Sequence, residues 1–201
     1  MGRMVSTFRV EPEQFSQLWG RNRDLYDRGD MSPERYWSLL AQNAGVMLEL
    51  GKLEQLRRWD VEMWAHENRA MVEWARQVGS SEIKTAVLSN MHRDMIAYAR
   101  ANFAWLGGFD HLTFSAEVRL IKPDPAIYEH SLRGVGVQPA EALFVDDRET
   151  NVQAARALGM HAIRFESESQ LKDDLGQLGF SILPLDTNSS RPRIAAPSRN
   201  G

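Results

Sequence analysis

The chain has 201 residues, 43% of them hydrophobic and 25% charged, with a net charge of -3. This is the composition of a soluble globular chain holding one ordinary domain, or a core with a small accessory domain. The charge balance leaves no footprint for nucleic acid or an anionic membrane. No apolar stretch approaches the roughly 20 residues that span a bilayer, and the N-terminus lacks a signal-peptide core. A cytoplasmic location is expected by elimination. The absence of cysteine excludes disulfides, thiolate metal sites and a cysteine nucleophile.

The first part of the chain has helical periodicity. Residues 12–28 carry Phe15, Leu18, Trp19 and Leu25 near helical spacing, with Pro12 suited to a first turn. Val5–Val10 has the composition of a short strand. Ser32 and Pro33 form an N-cap and first helical residue ahead of Tyr36, Trp37, Leu39 and Leu40, and Gly45 is a stop. Two further helices are predicted near 52–65 and 67–77. Five tryptophans precede residue 80, and the sixth is Trp105; these aromatics read as the core of a small helical domain.

From residue 83 the period changes. Short apolar strands at 83–88, 112–114, 143–145, 162–165 and 180–183 alternate with helical patterns at 92–104, 125–132, 149–158 and 168–177. Breaks fall at Gly107-Gly108, Gly134–Gly136 and Gly159. Such alternation implies an α/β fold, a Rossmann-like parallel sheet with right-handed crossovers. Ligands of such sheets bind beyond the carboxyl ends of the strands. The domain reading is an N-terminal segment at 1–11, helices at 12–80, the α/β core at 81–185 and a disordered polar tail at 186–201.

Three features fall at strand ends. Asp146 and Asp147 close the apolar run Leu-Phe-Val. Adjacent acids repel each other unless a cation compensates, and all-oxygen ligation favours Mg²⁺; capping of the following helix explains them equally well. Asn151, one turn on, suits a water-mediated ligand or an orienting partner for an aspartate. Ser89 and Asn90 end the first strand of the sheet ahead of a helix. That position suits a phosphate oxygen, and plain N-capping accounts for it too. Lys122, stiffened by Pro123-Asp124-Pro125, can neutralise a phosphoryl group and a nearby carboxylate, or be a surface lysine. The five histidines show no metal spacing and read as exposed or capping residues. Gly134-x-Gly136 follows a helix and lacks a third glycine, and no Gly-x-Ser-x-Gly elbow occurs, which argues against dinucleotide-binding and serine-hydrolase readings. A phosphorelay receiver would carry its acid pair early and its lysine late, the reverse of this order.

Taken in order, Ser-Asn, Ile-Lys-Pro-Asp-Pro-Ala-Ile-Tyr and Phe-Val-Asp-Asp-Arg-Glu-Thr-Asn-Val resemble motifs two, three and four of the haloacid-dehalogenase-like (HAD) hydrolase superfamily. The likeness is close over residues 83–165 and extends loosely over the helical region as an alpha-helical cap. It is greatest to the subgroup with sugar-phosphate phosphatases and the phosphatase domain of soluble epoxide hydrolases. The resemblance implies a Mg²⁺-dependent phosphomonoester hydrolase working through an aspartyl-phosphate on a small phosphorylated metabolite chosen by the cap. It implies that Ser89, Asn90 and Lys122 hold the phosphoryl group, that Lys122 stabilises the charged intermediate, and that Asp147, assisted by Asp146, holds Mg²⁺.

The first motif of that family, an Asp-x-Asp at the end of an N-terminal strand, is absent. Its first aspartate is the nucleophile and its second the general acid/base. In the family that strand is central to the sheet, so the core is expected to lack its first strand. Three accounts compete: a first motif encoded upstream, a non-catalytic remnant that binds phosphate or a partner, or a gap filled by Val5–Val10 with a substitute carboxylate. The expectation is a chain inactive or weak as given, with weak Mg²⁺ binding.

Overall fold

The computed structural model describes residues 2–49 and 51–180. Its first part is a layer of short helices: α1 (Gly2–Phe8), α2 (Pro12–Gly20), α3 (Arg23–Asp27), α4 (Pro33–Asn43) and α5 (Lys52–Trp64). Their core is aromatic, with Phe8, Phe15, Tyr26, Tyr36, Trp37 and Leu56 all buried. The strand reading of Val5–Val10 is overturned, because α1 covers most of that segment. Met4 and Phe8 lie one turn apart, and both are buried in this cluster. The helix places both on the face turned to this core. Phe8 stacks on Trp37 with ring centroids 6.3 Å apart. The segment is therefore spent in the helical layer and is not a strand of the sheet.

The helix predicted over 12–28 is broken at Arg21-Asn22 into α2 and α3. Ser32 caps α4 by accepting from the Arg35 amide at 3.2 Å, and the chain reverses at Gly45, whose φ is +70°.

α6 (Arg69–Gly79) leads into the α/β part, which comprises β1 (Ala86–Ser89), α7 (Arg93–Asn102), β2 (His111–Phe114), α8 (Ser115–Val118), α9 (Pro125–Val135), β3 (Leu143–Asp146), α10 (Glu149–Ala157), β4 (His161–Arg164) and α11 (Glu168–Gln177). β1 pairs in parallel with β2, Ser89 opposite Phe114, and β3 in parallel with β4, Asp146 opposite Arg164. The described strands thus form two parallel pairs and not one continuous sheet. Helices hold the pairs together. Ile127 and Tyr128 of α9 pack with Phe144 of β3 and with Leu88 of β1 in one cluster. Met71 and Trp74 of α6 pack against Leu143, Val145 and Ile163. The strand expected at 180–183 lies, but for Phe180, outside the described residues, as does the tail at 186–201.

Candidate functional site

The carboxyl ends of β1 and β3 are brought together by one side chain. Lys122, in the loop between α8 and α9, extends its ammonium to the Leu88 carbonyl of β1 at 2.8 Å and to Asp146 Oδ2 of β3 at 2.6 Å. Both side chains of that ion pair are buried, 8% exposed for Lys122 and 7% for Asp146. A buried pair persists only when its remaining polar groups are also satisfied. Here Asp146 Oδ1 accepts from the Arg148 amide at 2.9 Å and from Asn151 Nδ2 at 2.8 Å. The face of the Phe144 ring lies 5.5 Å from the ammonium and adds a cation–π contact.

Asn151 is in turn fixed. It is buried, and its carbonyl accepts from the Tyr128 hydroxyl at 2.9 Å. Burial, with the Asp146 charge next, pushes the Tyr128 phenol well above its ordinary range, so it stays a donor. Asn151 Oδ1 is buried with no partner.

Asp147 differs from its neighbour. It is exposed at the head of α10, whereas both oxygens of Asp146 are committed to Lys122, Arg148 and Asn151. Of the pair, Asp147 is the one open to a cation. Among the described residues no group of three His, Asp or Glu side chains is arranged to hold a metal. The residues present fit one carboxylate arm of a Mg²⁺ site and do not by themselves make a complete one, since Mg²⁺ takes octahedral oxygen ligation.

Ser89 closes β1 and Asn90 follows it. The Asn90 carboxamide faces the Lys122 backbone, accepting from its amide at 2.9 Å and donating to its carbonyl at 2.9 Å. The structure therefore gathers Ser89, Asn90, Lys122, Asp146, Asp147 and Asn151 at the carboxyl ends of β1 and β3.

Periodicity did not point to the groups that tie this edge to the helical layer. Ser115, buried at the head of α8, accepts from the Met91 amide at 2.8 Å and donates to the Asp27 carbonyl of α3 at 2.5 Å. His92, one of the five histidines expected to be exposed or capping, caps α7 through Nδ1 and is buried with Nε2 3.3 Å from Asp60 of α5. The only local signal was a Ser directly after a strand and a His before a helix.

The family of haloacid dehalogenase-like hydrolases matches over residues 20–159. Flavin mononucleotide hydrolase 1 of Arabidopsis thaliana, a chloroplastic protein, is 41% identical over 61 residues, 30% of this chain and 25% of that protein. Bifunctional epoxide hydrolase 2 of Rattus norvegicus is 31% identical over 102 residues, 48% of this chain and 18% of that one. A phosphoglycolate phosphatase of Pseudomonas savastanoi is 26% identical over 148 residues, 65% of this chain and 51% of that one. The chain thus spans a quarter or less of the first two relatives. A HAD family enzyme from Bacteroides thetaiotaomicron shares the fold with a TM-score of 0.69 at 19% identity, over 84% of this chain and 86% of that one. The chain belongs to the family of haloacid dehalogenase-like hydrolases.

Proposed function

We propose that the site is a Mg²⁺-dependent phosphomonoesterase centre acting on a small phosphorylated metabolite, and that the chain as given is inactive or weak because its attacking carboxylate is missing. The observation that carries this reading is the Lys122–Asp146 pair. A cationic side chain is held between the ends of two strand pairs that do not bond to each other, beside Ser89 and the open Asp147. The relatives named phosphoglycolate phosphatase and flavin mononucleotide hydrolase 1 support it. So does the Bacteroides thetaiotaomicron fold neighbour, which was also solved with magnesium and inorganic phosphate.

In this reading Ser89 Oγ donates to a phosphoryl oxygen, and Lys122 offsets the charge that develops there. Asp146 and Asn151 hold Lys122 and each other in place. Bound Mg²⁺ would supply further charge neutralisation, with Asp147 as the ligand this chain offers. None of these groups attacks phosphorus, and charge stabilisation accelerates only an attack that something else performs. The missing nucleophile would come from a strand seated between β1 and β3 and ending in a carboxylate near the Lys122 ammonium.

The test is hydrolysis of p-nitrophenyl phosphate with Mg²⁺. The chain as given should show no turnover above background. A version carrying an N-terminal apolar strand that ends in Asp-x-Asp should gain it, and Asp147→Asn should abolish that gain. Strong turnover by the chain alone, lost in Asp147→Asn, would refute the missing nucleophile. Phosphate binding without turnover by the extended version would favour a non-catalytic phosphate-binding role.

A further inference from the structure

Lys122 lies outside any helix or strand. Both polar groups of its backbone bond to one side chain, the N–H to Asn90 Oδ1 and the C=O to Asn90 Nδ2, each at 2.9 Å. This is how a neighbouring strand would grip a residue, delivered by a carboxamide 32 positions away. At the far end of the same side chain, Nζ is held by the Leu88 carbonyl and by Asp146. Lysine has a flexible four-carbon stem, so its charge occupies a defined point only when root and tip are both fixed. The end of β1 does both. Leu88 holds the tip, Asn90 holds the root, and Ser89 sits between them.

The chemistry of position 90 is narrow. A carboxamide carries a donor and an acceptor side by side, matching an N–H and a C=O on one residue. Aspartate would keep the acceptor and turn a carboxylate oxygen toward the Lys122 carbonyl. Serine has a single oxygen and cannot span both groups.

We infer that Asn90 is a positioning residue that acts through Lys122, clamping the Lys122 peptide to the end of β1 and so aiming the ammonium at Asp146, and that it does not itself contact the anion. Its effect on anion binding rests on the proposed phosphoryl site, whereas the clamp does not.

The test uses the full chain in four forms: unaltered, Asn90→Asp, Asn90→Ala and Lys122→Met. Amide hydrogen exchange is followed by NMR without added anion, and orthophosphate is then titrated into each form. The Lys122 N–H should exchange at least about tenfold faster in Asn90→Ala, while the β1–β2 amides keep their protection and show that the fold is intact. Asn90→Asp, which retains the acceptor, should leave most of the Lys122 N–H protection in place. Asn90→Ala should weaken orthophosphate binding in the unaltered background and add nothing in the Lys122→Met background. An unchanged Lys122 N–H in Asn90→Ala would overturn the clamp. So would an equal loss of phosphate affinity in both backgrounds, the mark of a direct contact. If the unaltered chain binds no orthophosphate, the phosphoryl reading fails, and the exchange rate alone decides the clamp.

Discussion

Asp60 of α5 has no exposed surface, and it is met by Arg23 of α3 through two bonds of 2.9 and 3.0 Å. The guanidinium also bonds Asp27 at 3.0 Å, which lets one buried cation serve two carboxylates. His92 completes the cluster, stacked on Tyr26 with ring centroids 4.6 Å apart. Because its Nδ1 accepts from the Met95 amide, the proton of the neutral ring sits on Nε2, facing Asp60 at 3.3 Å. Burial drives the His92 pKa from 6.5 down to about 3, with the Arg23 charge in support, Asp94 opposing it and Arg57 adding to it. Burial moves Asp27 the other way, from 3.8 up to about 6, against the pull of Arg23.

The two shifts have opposite consequences for stability. The depressed His92 contributes stability that is present above pH 6.5 and lost as the pH falls toward 3. The raised Asp27 contributes stability that is full below pH 3.8 and lost as the pH rises through 6. Burial also raises Asp60, which acts in the same sense as Asp27, so within this cluster His92 is the group whose protonation favours unfolding as the pH falls from 6.5 toward 3. His92→Asn keeps an acceptor for the Met95 amide and removes the imidazole. Urea unfolding at pH 6.5 and 4 should show the variant losing less stability on acidification than the unaltered chain. Parallel losses in the two proteins would show that His92 is not the acid-sensitive group.

At the scale of elements, the helical layer is fastened to the α/β part by α3 and α5. Arg57 of α5 makes a two-bond pair with Asp94 of α7, both bonds 2.7 Å, and Ser115 of α8 joins the Met91 amide to the Asp27 carbonyl. The turn after α3 is pressed against α8. A Cβ at Gly29 would lie 2.8 Å from the Ala116 carbonyl oxygen, and Gly29 has a φ of +79°. Space and backbone conformation both demand glycine there. Gly29→Ala should cost about 2 kcal/mol or more in denaturant unfolding. Gly20 at the end of α2 meets nothing within 4 Å, so Gly20→Ala should be neutral or gain up to about 1 kcal/mol. Equal effects of the two substitutions would mean that the α3–α8 approach is not tight.

Elements whose side-chain period matches their burial were legible in the sequence, and those shaped by a distant contact were not. β3 and α10 fall within a residue of their expected bounds because Phe144, Val152 and Ala155 meet in one cluster, while Leu143 and Val145 pack into a second. Gly134 was read as part of a turn, yet it lies inside α9, and the turn is made by Gly136 at φ +77°. A Cβ at Gly134 would fall 2.2 Å from the His111 ring. That glycine answers to β2, a contact no local window contains. α1 escaped notice for a related reason. Met4 and Phe8 have helical spacing, but seven residues are too few for that spacing to outweigh the β-branched Val5, Thr7 and Val10.

Across the whole molecule, the candidate site's residues were legible as an ordered set, because all but the loop residue Lys122 lie at or beside the end of a strand or the start of a helix. Their partition was not. Adjacent aspartates look equivalent in sequence, but Asp146 is the last residue of β3 and Asp147 lies beyond it, in the bend before α10. Asp146 is turned inward to Lys122 and Asn151, and Asp147 is left outside. That partition bears on metal affinity. Asp146 could ligate a cation only by giving up a buried lysine and two hydrogen bonds, and breaking a buried pair typically costs about 3–5 kcal/mol. A divalent ion therefore meets one free carboxylate, with water filling the rest of its shell. Calorimetric titration of Mg²⁺ into the chain should give a dissociation constant on the order of millimolar or weaker, and Asp147→Asn should remove the residual signal. Lys122→Met, which frees Asp146, should bind Mg²⁺ more tightly than the unaltered chain if it stays folded. Micromolar affinity in the unaltered chain, insensitive to Asp147→Asn, would mean that the ion binds elsewhere and that the Asp146-Asp147 pair does not define the metal site.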